Sequence, residues 1–233
     1  MTAEFTDRHV VITGATGGLG QAVVSELANA GATCHLPCVE KHEPRPLAWP
    51  DNGRIHATFA LDLSDQATVD QYYESLPPLW ASIHLVGGFA MAPIAETTVA
   101  DLEAMWKLNA VTCFACSRAA VLSMRKGKLG GRILNVTARP ALQPAAGMIA
   151  YTVAKAAVAA LTRALATELH NDRILVNAIV PSIIDTQVNR TAMPQANFDS
   201  WPKATQVAES IRFLVSPHNQ LTSGSLVPVY GDA

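Results

Sequence analysis

The chain has 233 residues, of which 49% are hydrophobic and 15% charged, with a formal net charge of -2. This composition allows one large core and predicts a single domain over residues 1–233. It gives no bulk charge for binding nucleic acid or an anionic membrane. No apolar run reaches the roughly 18 residues of a membrane span, and Met1–His9 lacks the apolar centre of a signal peptide. We therefore expect a cytoplasmic protein that binds a small molecule.

Four cysteines are present, and none predicts a metal site. Cys113 and Cys116 have C-x-x-C spacing, but they lie in an apolar helical pattern without a nearby histidine, and Cys34 and Cys38 flank a predicted strand. A chain of this size without a secretion signal does not need a disulfide framework. We expect four small buried hydrophobes.

A glycine-rich turn follows the first predicted strand. Arg8–Thr13 is a short apolar run, Gly14-Ala-Thr-Gly-Gly-Leu-Gly20 comes next, and Gln21–Ala30 has apolar residues at helical spacing. Such a turn lets backbone N–H groups approach a pyrophosphate at the N-terminus of a helix. By itself, the same pattern also fits an ordinary tight turn.

The second predicted strand, Ala32–Cys38, ends without the acid that commonly binds the adenosine ribose. Lys41, His42 and Arg45 follow, and they either meet a ribose 2′-phosphate or are simply solvated. The choice between NADH and NADPH therefore stays open. Three prolines between positions 44 and 50 predict a loop rather than a helix before the third strand.

The third and fourth predicted strands end in an acid and in glycines, respectively. Arg54–Leu61 runs into Asp62 and Leu63, although Asp62 is equally suited to cap the next turn. Ser82–Val86 runs into Gly87, which permits close backbone approach.

Tyr151 and Lys155 lie four residues apart in the predicted helix Met148–His170, so both side chains occupy one face. A nearby ammonium favours the phenolate, and we expect it to lower the tyrosine pKa from about 10. Most such pairs are only solvated neighbours. Upstream, Thr98 to about Lys126 reads as one long helix with Asn109 at its middle.

The fifth predicted strand is Arg132–Thr137, and the sixth, Arg173–Val180, leads into Pro181-Ser-Ile-Ile-Asp-Thr186. Thr191–Lys203 reads as a polar and aromatic loop, Gln206–Val215 as the last helix and Ser225–Val229 as the last strand. Strands alternating with helices predict an α/β fold with a doubly wound parallel sheet, and with the ligand at the carboxyl ends of the strands.

These motifs together resemble the short-chain dehydrogenase/reductase family over the whole chain. The resemblance implies that NAD(P)H binds with its pyrophosphate on Thr16–Leu19, its adenine near Asp62 and its carboxamide on Ile184. It implies that Tyr151 donates the proton, that Lys155 binds the nicotinamide ribose and that Asn109 holds a water. The implied cofactor-binding residues are Gly14, Thr16, Gly18, Leu19, Gly20, Asp62, Leu63, Gly87, Lys155, Pro181, Ile184 and Thr186.

Ala138 departs from the family pattern, which has a catalytic serine thirteen residues before the tyrosine. Thr137 is adjacent, but strand neighbours point to opposite faces, so it replaces the serine only after a local twist. Three interpretations follow: a degraded enzyme, a slow ketone reductase, or an enzyme whose substrate does not need the serine.

Four segments in the C-terminal third resemble quinonoid dihydropteridine reductase, a member of that family with alanine at the serine position. They are Gly147–Tyr151, Ile184–Arg190, Met193–Trp201 and Ser223–Leu226. That reductase differs from this chain in having an aspartate at the position of Cys38 and in lacking Asn109. By this resemblance the substrate contacts are Ala138, Met148, Tyr151, Met193 and Trp201, with a substrate loop at about 186–205.

The favoured function is therefore hydride transfer from NAD(P)H to a small conjugated imine, quinonoid or carbonyl substrate. The alternatives are an ordinary ketone or 3-oxoacyl reductase of the same family, or a catalytically weakened cofactor-binding protein. The resemblance also implies a homodimer or homotetramer formed through the helices at Leu102–Lys126 and Thr152–His170.

Overall fold

Parallel strands form the centre of the protein, in the order β3-β2-β1-β4-β5-β6-β7. The computed structural model describes residues 3–42, 47 and 49–232. The strands are β1 (His9–Thr13), β2 (Thr33–Pro37), β3 (Ile55–Thr58), β4 (Ala81–His84), β5 (Gly131–Val136), β6 (Ile174–Pro181) and β7 (Leu226–Val229). The strand order reverses between β1 and β4, which creates a crevice at the carboxyl ends. The predicted doubly wound parallel sheet is confirmed.

Helices cover both faces of this sheet. They are α1 (Gly18–Asn29), α2 (Gln66–Glu74), α3 (Val99–Trp106), α4 (Thr112–Gly127), α5 (Arg139–Leu142), α6 (Ile149–Glu168), α7 (Gln187–Ala192) and α8 (Ala204–Val215). Side chains alternate along a strand. Val10 and Ile12 of β1 therefore join the core under α1 and α8, whereas Val11 joins the core under α2 and α4.

The connection from β2 to β3 agrees with the proline pattern. Its described residues, 38–42, 47 and 49–54, contain no helix. Trp49 packs against the core beneath α1. Arg45 lies outside the described residues. The third strand is shorter than the predicted Arg54–Leu61, because Ala60 has a φ of 63°, which extended backbone does not accommodate.

The single helix predicted from Thr98 to about Lys126 is wrong in one respect. α3 and α4 are separated by a π-helical turn at Lys107–Val111, with Asn109 in its centre. The Asn109 amide donates to the Met105 carbonyl at 3.0 Å and also reaches outside the helix, so its side chain competes with the regular helical pattern. Such interruptions are frequent at functional sites.

The segment predicted as a loop at 191–203 contains the end of a helix. α7 covers Gln187–Ala192, and Thr186 caps it by accepting a bond from the Asn189 N–H. A short 3-10 turn follows at Phe198–Ser200. Six residues are too few for a recognisable apolar period, so the pattern alone does not identify this helix.

By length and composition, α6 is the one helix among the described residues that is apolar enough to cross a membrane. It packs on the sheet and on α3, and its buried stripe includes Ala154, Lys155 and Val158. These contacts are those of a core helix.

Candidate active site

The glycine turn after β1 is shaped by close backbone contacts. Gly14 has a φ of +67°, and a side chain on Gly20 would place its Cβ 2.1 Å from the Gly14 oxygen. A Cβ on Gly18 would lie 2.8 Å from a Thr186 methyl group, so the segment after β6 meets the turn here. A side chain at any of these positions would require its neighbours to shift, and the turn leads into the N-terminus of α1, where a pyrophosphate is expected.

The glycines after β4 are held by Asn109. The Gly88 N–H donates to Asn109 Oδ1 at 3.2 Å, and Asn109 Nδ2 donates to the Gly88 oxygen at 3.1 Å. A Cβ on Gly87 would lie 2.6 Å from Asn109 Oδ1 and 3.1 Å from Lys155 Nζ. Asn109 therefore fixes the backbone beside Lys155, and its role in holding a water stays a prediction.

A cleft of about 460 Å³ opens beside these turns. Gly14, Thr16, Asp62 and Leu63, four of the residues that the family resemblance assigns to the cofactor, line it, and their contact with a cofactor stays a prediction. Asp62 accepts bonds from the Ser64 N–H and hydroxyl, which hold the pKa of that carboxyl below its usual range. The cap of α2 is instead Asp65. The glycine contacts and this cleft together fit NAD(P)H.

Glu40 also lines this cleft and was not predicted from the sequence. Its Oε1 accepts a 2.7 Å hydrogen bond from the Thr16 hydroxyl, so the carboxylate stands at the glycine turn. Cys38, two residues earlier, is buried, and burial raises the pKa of its thiol to about 11. The sequence did contain a signal, since Glu40 is the first acid after β2.

The remaining cysteines are likewise free and buried. Burial raises the pKa of Cys34, Cys113 and Cys116 to about 12, so each stays a neutral thiol at physiological pH.

Lys155 is 5% exposed, and its ammonium is 6.0 Å from the centre of the Tyr151 ring. Nζ donates to the Val136 carbonyl at 2.9 Å, and burial lowers the lysine pKa to about 8. The expected lowering of the tyrosine pKa is wrong for this arrangement, because burial raises the pKa of Tyr151 to about 12. The ammonium binds a backbone oxygen rather than the phenol, so burial dominates.

The hydroxyl of Thr137 does not replace the missing serine in this conformation. Its Oγ1 donates to the Lys155 carbonyl at 2.7 Å, and the residue is 1% exposed. Ala138, on the other side of the strand end, offers only a methyl group. The position thirteen residues before Tyr151 therefore has no hydrogen-bond donor in its side chain.

Phe89 forms an unpredicted neighbour of Tyr151. The two rings are 5.0 Å apart at an interplanar angle of 82°, although Phe89 is 57% exposed. The strand-like pairing of Ala92 with Met148, and a 2.8 Å bond from the Ala92 N–H to the Gly147 oxygen, tie this segment to the start of α6. The sequence feature that could have predicted this contact is an aromatic residue directly after Gly87 and Gly88.

The other predicted site residues follow β6. Pro181 ends that strand, and the Ile184 oxygen accepts a 2.8 Å bond from Asn189 Nδ2. Met193 follows α7 and is partly buried. Trp201 is only 5% exposed and packs 5.0 Å from the Phe198 ring. Contacts of Met193 and Trp201 with substrate stay predictions, since packing already accounts for Trp201.

Comparison with known proteins gives the family of this chain. The family described as short chain dehydrogenase matches residues 8–197. The 3-oxoacyl-acyl-carrier-protein reductase of Pseudomonas aeruginosa is 28% identical over 95% of this chain and 95% of its own length. The L-xylulose reductase of Mesocricetus auratus is 25% identical over 96% and 95%.

Solved structures show the same fold. The crystal structure of levodione reductase has a TM-score of 0.89 and 25% identity, and the match covers 97% of each chain. The family match and the fold agree. The chain therefore belongs to the short-chain dehydrogenase/reductase family and is an NAD(P)-dependent oxidoreductase.

Proposed function

We propose that the protein transfers hydride to a small conjugated imine, quinonoid or carbonyl compound, and that Tyr151 supplies the proton. The observation that carries this proposal is a tyrosine beside a buried lysine, with the methyl group of Ala138 in place of a carbonyl-binding hydroxyl. Such a site suits a substrate whose reduction depends more on protonation than on a hydrogen bond to a carbonyl oxygen. The likeness of four C-terminal segments to quinonoid dihydropteridine reductase supports this choice.

Each polar residue has a distinct proposed role. A bound nicotinamide cofactor supplies the hydride. The glycine turn at Gly14–Gly20 would hold its pyrophosphate, and Lys155 would bind its ribose with the N–H donors that do not bind the Val136 carbonyl. The positive charge of Lys155 would also favour the phenolate of Tyr151, whose pKa burial raises to about 12. Asn109 holds a water that resupplies the proton.

The lining around Tyr151 supports a flat substrate. Phe89 presents a largely exposed ring next to the phenol, and aromatic rings favour offset or edge contacts with other conjugated rings. Met148 precedes α6, and its backbone pairs with Ala92 in the same segment as Phe89.

An ordinary ketone or 3-oxoacyl reductase is the second candidate. It is supported by the names of two relatives, 3-oxoacyl-acyl-carrier-protein reductase and L-xylulose reductase. The third candidate is a cofactor-binding protein with weakened catalysis. Ala138 is consistent with it, whereas the joint presence of Tyr151, Lys155 and Asn109 argues against it.

Oxidation of NADH and of NADPH with a substrate panel tests the proposal. The panel is quinonoid dihydropterin, a quinone, a cyclic ketone, L-xylulose and a 3-oxoacyl thioester. Tyr151→Phe should lose about 10²- to 10⁴-fold in turnover while keeping the cofactor Kd, because general acid catalysis is worth that much. Unchanged turnover in this variant would rule out the role of Tyr151, and faster turnover of the thioester than of the conjugated substrates would favour the second candidate.

A further inference from the structure

A network of buried, hydrogen-bonded side chains runs across neighbouring strands of the sheet, from α2 to α6. The Tyr73 hydroxyl lies 2.9 Å from Ser82 Oγ, which lies 2.9 Å from His84 Nε2. His84 Nδ1 is 2.8 Å from Asn135 Oδ1, and Asn135 Nδ2 donates to the Thr162 hydroxyl at 2.9 Å. All five residues are at most 4% exposed. The chain thus links α2, β4 and β5 to α6.

The protons in this chain have one consistent arrangement. Asn135 donates through Nδ2, so its Oδ1 accepts, and His84 Nδ1 must carry the hydrogen. Burial lowers the His84 pKa to about 4, so Nε2 is unprotonated at neutral pH and accepts from Ser82. Ser82 in turn accepts from Tyr73. Every hydrogen-bonding group along the path is satisfied, which makes such a network rigid.

The network meets α6 next to the contacts of Lys155. Val136, beside Asn135, accepts the bond from Lys155 Nζ, and Thr137 donates to the Lys155 carbonyl. Lys155 and Thr162 are seven residues apart, which places them on one face of α6 two turns apart. Asn135 and Val136 of β5, and Thr137 directly after it, therefore fix α6 at two points, and Asn135 supplies one of them.

The other groups facing this network carry no charge. Cys113 of α4 donates to Asn135 Oδ1 at 3.2 Å, and Ser117 Oγ lies 3.3 Å from His84 Nδ1. Burial raises the pKa of both Cys113 and Tyr73, so each keeps its proton. Apart from these neutral groups, the Lys155 ammonium lies beside the network, and burial lowers its pKa to about 8.

We propose that His84 is a positioning residue for Lys155: by orienting Asn135 it sets the place of α6 against β5, and hence the reach of the lysine toward Tyr151 and the cofactor. This inference rests on the proposed function for the role of Lys155. It assigns no contact between His84 and substrate or cofactor.

A double-mutant cycle tests the proposal. His84→Leu removes the hydrogen bonds of His84 with Ser82 and Asn135. We expect kcat to fall about tenfold with little change in the substrate KM. His84→Asn keeps a donor toward Asn135 and should recover most of kcat. In a Lys155→Met background, His84→Leu should cost less than twofold. His35→Leu, at a buried histidine of β2, is the matched control and should leave kcat unchanged at pH 7.5. Equal losses from His84→Leu in both backgrounds would overturn the proposal.

Two further measurements keep the test decisive. If His84→Leu does not fold by circular dichroism, Thr162→Val takes its place, since it breaks the same chain at α6 with nearly equal volume. If the wild type reduces no panel substrate, the proposed function fails. The double-mutant cycle then compares the NADH Kd of each variant, measured by fluorescence. A loss of about threefold that disappears in Lys155→Met supports positioning, and the same loss in both backgrounds refutes it.

Discussion

At the scale of single residues, the site differs from its family pattern at Ala138. The serine normally found there binds a carbonyl oxygen, and the nearest hydroxyl, that of Thr137, is engaged with the Lys155 carbonyl at 2.7 Å. Tyr151 must therefore protonate the substrate without a second hydroxyl donor at position 138. How the protein responds to a restored hydroxyl depends on its substrate.

Ala138→Ser separates the two leading functions. A ketone substrate gains a hydrogen bond to its oxygen, and removal of one such donor in other enzymes costs about 10²-fold or more, so ketone turnover should rise. A quinonoid pterin or similar substrate gains nothing, and its turnover should stay equal or fall. Steady-state kinetics on both substrates measures this, with Ala138→Gly as the control without a hydroxyl. Faster pterin turnover with serine would contradict our favoured function.

Glu40 should decide the cofactor preference. Its carboxylate stands at the glycine turn and would repel the 2′-phosphate of NADPH, so we expect the wild type to favour NADH. Glu40→Gln should raise the kcat/KM ratio for NADPH over NADH by about tenfold, which corresponds to about 1.4 kcal/mol. Glu74→Gln, an exposed acid on α2, is the control. An unchanged ratio in Glu40→Gln would exclude this role.

At the scale of elements, the sequence predicts the strands, the glycine turn and the helix of Tyr151 because their apolar periods and glycines are local signals. It does not predict that Glu40 reaches Thr16, because the loop after β2 sets that distance. Nor does it predict that Lys155 binds the Val136 carbonyl, since the packing of α6 on β5 makes that contact. The π turn around Asn109 likewise depends on Gly88, a residue twenty-one positions away.

Three neighbouring strands carry a stack of histidines that should make stability depend on pH. The His9 and His35 rings are 5.2 Å apart, those of His35 and His56 are 5.5 Å apart, and a single hydrogen bond of 3.0 Å joins the first pair. Burial and the neighbouring histidines lower the His35 pKa to about 4. The unfolded chain, with a histidine pKa near 6.5, therefore binds more protons between these values.

Stability should accordingly be full above about pH 6.5 and fall as the pH drops toward 4. By pH 5 the loss from His35 is roughly 2 kcal/mol. His35→Gln should flatten this dependence, and His170→Gln, at an exposed position, should not. Denaturant unfolding at pH 7.5 and pH 5 measures both, and an equal loss in His35→Gln and wild type would contradict the assignment.

At the scale of the whole molecule, one face remains apolar and exposed. Trp106 of α3, Phe114 of α4 and Val153 of α6 are 45%, 53% and 43% exposed. Trp106 and Phe114 line a shallow hollow of about 260 Å³, together with Ala157, Val158 and Leu161 of α6. Large exposed apolar patches often mark contacts between proteins, so this face fits the homo-oligomer interface that the family resemblance implies for the same helices.

Phe114→Arg should therefore shift the protein from a dimer or tetramer toward a smaller species. A charge at the centre of an apolar contact has to be buried without a partner, and that penalty opposes association. Light scattering coupled to size-exclusion chromatography measures the mass over a range of concentrations. Leu129→Arg, at a residue that is 76% exposed in the loop before β5, is the control and should keep the wild-type mass. A monomeric wild type, or an unchanged mass for Phe114→Arg, would exclude this face as the interface.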